Sequence, residues 1–76
     1  MGSKFFLHEI KRNGETITKG IVVADTFDGA KQGYHAYLGA YAYGHETGTD
    51  FVSAIITDMD GVVLLSETWN ASASLI

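Results

Sequence analysis

Two runs rich in apolar residues lie in the first third of the chain, separated by a short turn signal. The runs are "KFFLHEIKR" at 4–12 and "TITKGIVVA" at 16–24, with Asn13-Gly14 between them. An Asn-Gly pair in this setting is the strongest short hairpin signal, because a type I′ turn needs positive φ at both central residues. The pattern therefore predicts a β-hairpin.

The register of this hairpin follows from the turn. If Asn13-Gly14 is a two-residue turn, Phe6 faces Ile21 and Ile10 faces Ile17. Arg12 then lies opposite Glu15, which is a favourable cross-strand pair of charges.

The next segment carries apolar residues at helical spacing over 26–43, after an N-cap at Asp25 or Thr26. Its apolar stripe comprises Phe27, Ala30, Tyr34, Leu38 and Tyr41, with Tyr37 beside it. Each internal glycine costs roughly 1 kcal/mol relative to alanine, so we expect the small side chains to serve a purpose. The predicted second face of small residues comprises Gly29, Gly33, Ala36 and Ala40. Gly44 is the expected C′ residue.

A second pair of strands follows, at 51–58 and 62–69, joined by Asp60-Gly61. Asp-Gly favours the same tight turn as Asn-Gly. The predicted order is therefore ββαββ, an α+β fold in which one helix packs on a four-stranded, mainly antiparallel sheet. The chain is one domain over 1–76, with an ordered core over about 4–70 and a short C-terminal tail over 71–76.

Both faces of the predicted sheet are apolar. In the second hairpin, one side carries Val52, Ile56, Val63, Leu65 and Trp69, and the other carries Phe51, Ile55, Met59, Val62 and Leu64. An antiparallel sheet with a solvated face normally alternates cleanly, and one helix covers only one face. An exposed apolar patch of this extent marks an interface, so we expect a homo-oligomer that forms through the sheet, through the small-residue helix face, or through both.

Composition supports this expectation and excludes several functions. The chain has 46% apolar residues and no cysteine, so a domain of this size lacks disulfides and needs another source of stability. Its net charge is -4 and its five Lys and Arg residues are scattered, so we expect no nucleic-acid partner. There is no apolar run of membrane-spanning length. The start "MGSKFF" lacks a signal-peptide core, and we expect an intracellular, soluble protein.

One short motif resembles an enzyme signature. "IITDMDG" is similar to the opening Asp-x-Asp-Gly motif of haloacid dehalogenase-like phosphatases, in which the first aspartate attacks phosphorus. That family needs later motifs that include a lysine, and no lysine follows Gly61. A calcium-binding EF-hand loop would need glutamate where Trp69 stands. We therefore interpret Asp58 to Gly61 as a hairpin turn and expect no enzyme, no metal and no cofactor.

The most unusual segment places four tyrosines and two histidines between residues 33 and 46. Tyr34, Tyr37 and Tyr41 suit the core with their hydroxyls in water, whereas His35 and Tyr43 fall beside the small-residue face. An aromatic ring and an imidazole beside bare backbone suit an interface or a planar ligand. The candidate ligand-binding or interface residues are Lys31, His35, Ala36, Ala40, Tyr43 and His45.

The stretches "KFFLHEIKR" and "KGIVVADTFDGAKQGYHAYLGAYAYGHE", with a terminal hairpin ending in "SETW", extend over most of the chain. In these stretches the chain resembles small uncharacterised proteins of phages and prophages of gut Firmicutes. The resemblance implies a viral context and no particular mechanism. With it, the expected location is the cytoplasm of a bacterial host cell.

Small viral proteins without catalytic residues commonly act by stoichiometric binding. We therefore expect a homo-oligomer that inhibits bacterial antiviral defence, either by sequestering a small nucleotide-like immune signal or by binding a host defence protein. Base stacking would use the tyrosine- and histidine-bearing helix, with Lys31 or Lys19 near the phosphates. The alternative is a virion or assembly component whose apolar sheet face packs on a larger partner.

Overall fold

A computed structural model of the chain describes residues 4–43 and 49–70. The elements in these ranges are β1 (Phe5–Asn13), β2 (Thr16–Ala24), α1 (Phe27–Leu38), a π-helical segment (Gly39–Tyr43), β3 (Thr49–Thr57) and β4 (Val63–Asn70). The predicted strands are confirmed, with ends that differ by two residues or fewer. The predicted helix is confirmed from Phe27, but its α-helical part ends at Leu38 and the rest of the predicted span, to Tyr43, is π-helical. The predicted tail over 71–76 and the predicted helix end at Gly44 lie outside the described residues.

The four strands form one open sheet in the order β2-β1-β3-β4, and all neighbours are antiparallel. The two hairpins therefore lie side by side, with their first strands β1 and β3 paired at the centre. The helix connects β2 to β3 across the sheet. This arrangement confirms the predicted α+β fold of ββαββ order.

The first hairpin has a different register from the predicted one. Asn13 pairs with Thr16, so the two central turn residues are Gly14 and Glu15. Gly14 has φ of 65°, and glycine accepts a positive φ without a steric cost. The turn has thus moved by one residue, which places glycine at its first central position.

This shift changes the partners of every residue in the hairpin. Phe6 pairs with Val23 instead of Ile21, and Ile10 pairs with Lys19 instead of Ile17. Because the change in register is two residues on the partner strand, each side chain keeps its predicted face.

The predicted pair of Arg12 with Glu15 is also wrong. Arg12 lies opposite Ile17 on β2. Its guanidinium turns to the other neighbouring strand, where Nε donates to Asp50 Oδ1 at 3.0 Å. The first hairpin is therefore linked to the second by an ion pair near the β-bulge at Arg12 and Asn13.

The second hairpin closes through a longer turn than Asp60-Gly61 alone. The Gly61 N–H donates to the Asp58 carbonyl at 3.2 Å, so Met59 and Asp60 are the central residues and Gly61 follows with φ of 84°. The carboxylate Oδ1 of Asp58 accepts from the backbone N–H of Asp60 at 2.8 Å and from that of Val62 at 3.0 Å. The motif Asp-x-Asp-Gly is therefore used here as a turn.

The helix begins at an N-cap that the sequence signals. Thr26 has extended backbone angles, and its Oγ1 accepts from the Gly29 N–H at 2.9 Å. This hydrogen bond satisfies one of the donors that a helix start leaves without an intrahelical partner.

The helix packs on one face of the sheet and forms the core with it. The buried apolar residues are Leu7, Ala30, Tyr34, Leu38, Ala42, Val52, Ala54 and Ile56. Tyr37, Tyr41, Leu65 and Trp69 pack around this cluster and are partly buried. Ala42, in the π-helical segment, is buried where the stripe predicted Tyr41. A π-helical turn contains more residues than an α-helical turn, which alters the phase of the side chains.

One glycine departs from the predicted second face. A Cβ atom on Gly33 would lie 3.1 Å from Leu7 Cδ2, so Gly33 faces the sheet. Its small size allows the helix to approach β1 closely. Gly33 therefore does not lie on the same outer face of the helix as Ala36 and Ala40.

Candidate functional site

The predicted site residues on the helix do not converge on one place. His35, Ala36 and Ala40 are exposed on the outer side of the helix. Lys31 is half-buried on the flank, one turn before His35. His45 and the side chain of Tyr43 lie outside the described residues.

Lys31 already has partners within the helix. Its Nζ lies 3.4 Å from Asp28 Oδ1 and 4.9 Å from the centroid of the Phe27 ring. The ion pair and the cation–π contact both hold the ammonium group near the first helical turn. Lys31 would have to give up these contacts to bind a phosphate elsewhere.

His35 makes an edge-on contact with a core tyrosine. Its ring centroid lies 5.2 Å from that of Tyr34, at an interplanar angle of 86°. Within residues 4–43 and 49–70, no three His, Asp or Glu side chains are grouped so that they could hold a metal ion. For His35, the structure therefore shows a contact with the core through the Tyr34 ring.

The sheet offers a larger surface, which we call the open face. It is the face opposite the helix, and side-chain alternation assigns it the even-numbered residues of β1 and β4 and the odd-numbered residues of β2 and β3. The apolar members are Phe6, Ile10, Ile17, Ile21, Val23, Phe51, Ile55 and Leu64. Ile17, Ile21 and Val23 are 63%, 64% and 57% exposed, respectively. These values mark β2 as the most exposed part of the face.

A shallow depression of about 430 Å³ lies between β1 and β2. The open-face side chains around it are His8, Ile10, Lys19 and Ile21, and the paired residues Glu9 and Gly20 complete the lining. It therefore combines two apolar walls with an imidazole and an ammonium group. An anionic, partly apolar group would suit this lining better than a cation would.

The polar side chains in the middle of the open face are paired with one another. His8 Nε2 lies 3.0 Å from Thr57 Oγ1, and Ser53 Oγ lies 3.2 Å from Thr68 Oγ1. Within the described residues, no buried side-chain nitrogen or oxygen lacks a hydrogen-bond partner. Burial of polar groups is costly mainly when they are left unpaired, so these pairs make the face suitable for contact with an apolar surface.

Charge on the open face differs from that of the whole chain. The chain has a net charge of -4, whereas Lys19 and Arg12 are the charged residues that strand alternation assigns to this face. Asp50 offsets Arg12 through the ion pair at 3.0 Å. The open face is thus apolar with a slight positive charge.

The face under the helix holds two titratable groups that the sequence pattern did not single out. Burial raises the pKa of the Glu9 carboxyl above its ordinary value. Burial, and to a smaller extent the negative charge of Glu67, raises the pKa of the Tyr34 phenol. Glu9 lies on the same face of β1 as the buried Leu7. Because the sequence did not show which face the helix covers, it did not distinguish Glu9 from a solvated glutamate.

A second depression of about 470 Å³ lies at the tip of the second hairpin, beside the start of β1. Its lining includes Lys4, Asp58 and Asp60, the residue types that a phosphatase active site would need. Lys4 is paired with Asp25, however, and Asp58 Oδ1 already accepts two backbone hydrogen bonds. These contacts favour a structural role for the motif.

Comparison of the chain with family models, with curated proteins and with solved structures found no match. Within the part of the chain that the structure describes, no helix has the length and apolar character needed to cross a membrane. A functional interpretation therefore depends on the surfaces described above.

Proposed function

We propose that the protein is a non-catalytic binding protein whose copies associate through the open face. The observation that carries this proposal is the exposure of Ile17, Ile21 and Val23, each more than half exposed on a face that the helix leaves uncovered. Apolar patches of this kind on a small domain mark interaction sites. The hydrogen bonds of His8 with Thr57 and of Ser53 with Thr68 lower the cost of covering this face.

The size of the open face supports a contact between two copies. Four strands about 4.8 Å apart and eight or nine residues long, at about 3.3 Å per residue, span roughly 19 by 30 Å. Two such faces in contact would cover on the order of 1,100 Å² in total, before side-chain relief is counted. A specific interface should exceed about 1,000 Å², so a face-to-face pair meets this requirement.

For the activity itself, we propose inhibition of bacterial antiviral defence by a phage-encoded protein, in accordance with the resemblance to phage and prophage proteins. Such a protein would sequester a small nucleotide-like immune signal or bind a host defence protein. For a nucleotide-like ligand, the depression beside His8 and Lys19 is a better candidate than Lys31. Lys19 forms no ion pair among the described residues, whereas Lys31 is engaged with Asp28 and Phe27.

A virion or assembly component is the second candidate. It is favoured by a further apolar group at the tip of the second hairpin, where Met59, Val62 and Val63 are 60%, 55% and 58% exposed. A larger partner could cover this tip together with the open face. This component would bind no small molecule.

The proposal is tested by native mass spectrometry of protein expressed in bacteria, followed by denaturing analysis of the same sample. We expect a closed oligomer, and extra mass released on unfolding as a nucleotide-like molecule would support sequestration. A closed oligomer without extra mass would direct the search to protein partners. An unmodified protein that is monomeric throughout would contradict association through the open face.

A pair of variants locates the contact. Ile55→Lys introduces a charge at the centre of the open face and is expected to give a folded protein that no longer associates through that face. Val62→Lys makes the same kind of change in the exposed turn, away from the sheet, and is expected to leave the oligomer intact. Equal effects of both variants would show that the contact is not centred on the open face.

A further inference from the structure

Strand β2 is an edge strand with an unusual degree of exposure. It pairs with β1 through nine consecutive residues without a bulge, and no strand within residues 4–43 and 49–70 pairs with its other edge. Every residue from Thr16 to Val23 is exposed. Natural proteins normally protect a long edge with charges, proline or a bulge, and Lys19 is the single charged residue in β2.

The ladder with β1 determines which backbone groups of β2 point away from the sheet. Asn13 and Thr16 flank the two-residue turn and form a hydrogen-bonded pair, and such pairs alternate along an antiparallel ladder. The inward groups therefore belong to the even-numbered residues of β2. The N–H and C=O groups of four residues point outward, namely those of Ile17, Lys19, Ile21 and Val23.

We infer that β2 pairs antiparallel with β2 of a second copy, around a two-fold axis at Gly20, to form one continuous eight-stranded sheet. Ile17 of one copy lies opposite Val23 of the other, and Lys19 lies opposite Ile21. This inference rests on the proposed self-association and names a contact for it. It concerns the strand edge, whereas the proposed function concerns the face.

The register centred on Gly20 gives a hydrogen-bond partner to every outward-pointing backbone group of β2. It pairs all four outward residues, and each pair exchanges two backbone hydrogen bonds. A shift that centres the axis on Lys19 would place the two Lys19 ammonium groups opposite each other, which is unfavourable. A shift that centres it on Ile21 would leave Ile17 without a partner. The self-complementary fit of this edge is why we commit to a second copy as its occupant.

The pairing would also extend the surface described above. The side chains of all four outward residues lie on the open face, so the open faces of the two copies become one continuous apolar surface. At the centre of the contact, Gly20 faces Gly20 and no side chain obstructs the approach of the two strands.

The test compares Ile21→Pro with Ile21→Thr, using the mass in solution and the circular dichroism of each variant. Both changes remove the isoleucine side chain, but only proline removes the outward N–H. Proline is tolerated on an edge strand where the N–H does not take part in the ladder, so the hairpin should remain. We expect Ile21→Thr to keep the edge-paired dimer and Ile21→Pro to lose it.

A measurement on the unmodified protein covers the case in which Ile21→Pro fails to fold. In residue-resolved hydrogen exchange, we expect the amides of Ile17, Lys19, Ile21 and Val23 to become protected as protein concentration rises. Fast exchange of these four amides in an oligomer would overturn the edge pairing while leaving association through the open face in place. A protein that is monomeric at every concentration would overturn both.

Discussion

Two glycines of the helical region provide a sharp test of how the helix sits on the sheet. Gly39 has φ of -62° and ψ of -39°, and a Cβ atom added there would meet nothing within 4 Å. Alanine should therefore relieve the helix penalty of glycine, which is about 1 kcal/mol. We expect Gly39→Ala to raise the free energy of unfolding by up to that amount.

Gly33→Ala should behave differently, although its intrinsic helix preference improves equally. The new Cβ atom would lie 3.1 Å from Leu7 Cδ2, and Leu7 is only 1% exposed. Overfilling a packed core costs about 1–3 kcal/mol, which cancels or exceeds the gain. We expect the net effect to lie between no change and a loss of about 2 kcal/mol.

Urea unfolding measures both variants beside the wild type, at a single protein concentration because association contributes to apparent stability. Thermal melts should agree, since 1 kcal/mol corresponds to about 4–8 °C in a domain of this size. Leu7→Val shortens the obstructing side chain, so Gly33→Ala should be better tolerated in that background, with a coupling energy above about 0.5 kcal/mol.

Equal stabilisation by the two alanines would refute this reasoning. It would mean that Gly33 faces solvent together with Ala36 and Ala40, as the sequence pattern predicts. The helix would then be rotated on the sheet relative to the arrangement described here.

Three further predictions concern single side chains. Burial raises the pKa of Glu9, so the stability that its protonated form contributes is present at acid pH and is lost as pH rises through the raised folded pKa. Urea unfolding should therefore show Glu9→Gln more stable than wild type at neutral pH. Well below the ordinary pKa, the two proteins should be equally stable. Thr26→Ala removes the acceptor for the Gly29 N–H and should cost about 0.5–2 kcal/mol, whereas Thr26→Ser should retain most of the stability in the same melts. Asp58→Ala removes two turn hydrogen bonds and should cost on the order of 1 kcal/mol, with Asp58→Asn close to wild type; equal losses in both would contradict a role for Oδ1 as acceptor.

Local pattern was sufficient to predict the elements of this fold. Turn residues, an N-cap and two kinds of apolar periodicity mark four strands and one helix, and each is present. The register of the first hairpin could not be predicted in the same way. "RNGE" allows glycine to occupy either central position of a two-residue turn, and the choice moves the pairing by two residues.

The surfaces were less predictable than the elements, because they depend on contacts between distant parts of the chain. That both sheet faces are apolar was visible from alternation, but which face the helix covers depends on how Leu7 and Gly33 meet. The helical candidates Lys31 and His35 looked free in the sequence, whereas Asp28 and Tyr34 engage them. The depression beside Lys19 depends on the pairing of β1 with β2 and on the space between their side chains, which the one-dimensional pattern does not show.

The central claim is that this chain covers its open face with further copies of itself. Sedimentation equilibrium of the unmodified protein over a broad range of concentration tests it most directly. The account predicts a defined oligomer that dissociates only on dilution, with Ile55→Lys folded and no larger than the dimer paired through β2 under the same conditions. A wild-type protein that sediments as a stable, soluble monomer at every concentration would contradict it.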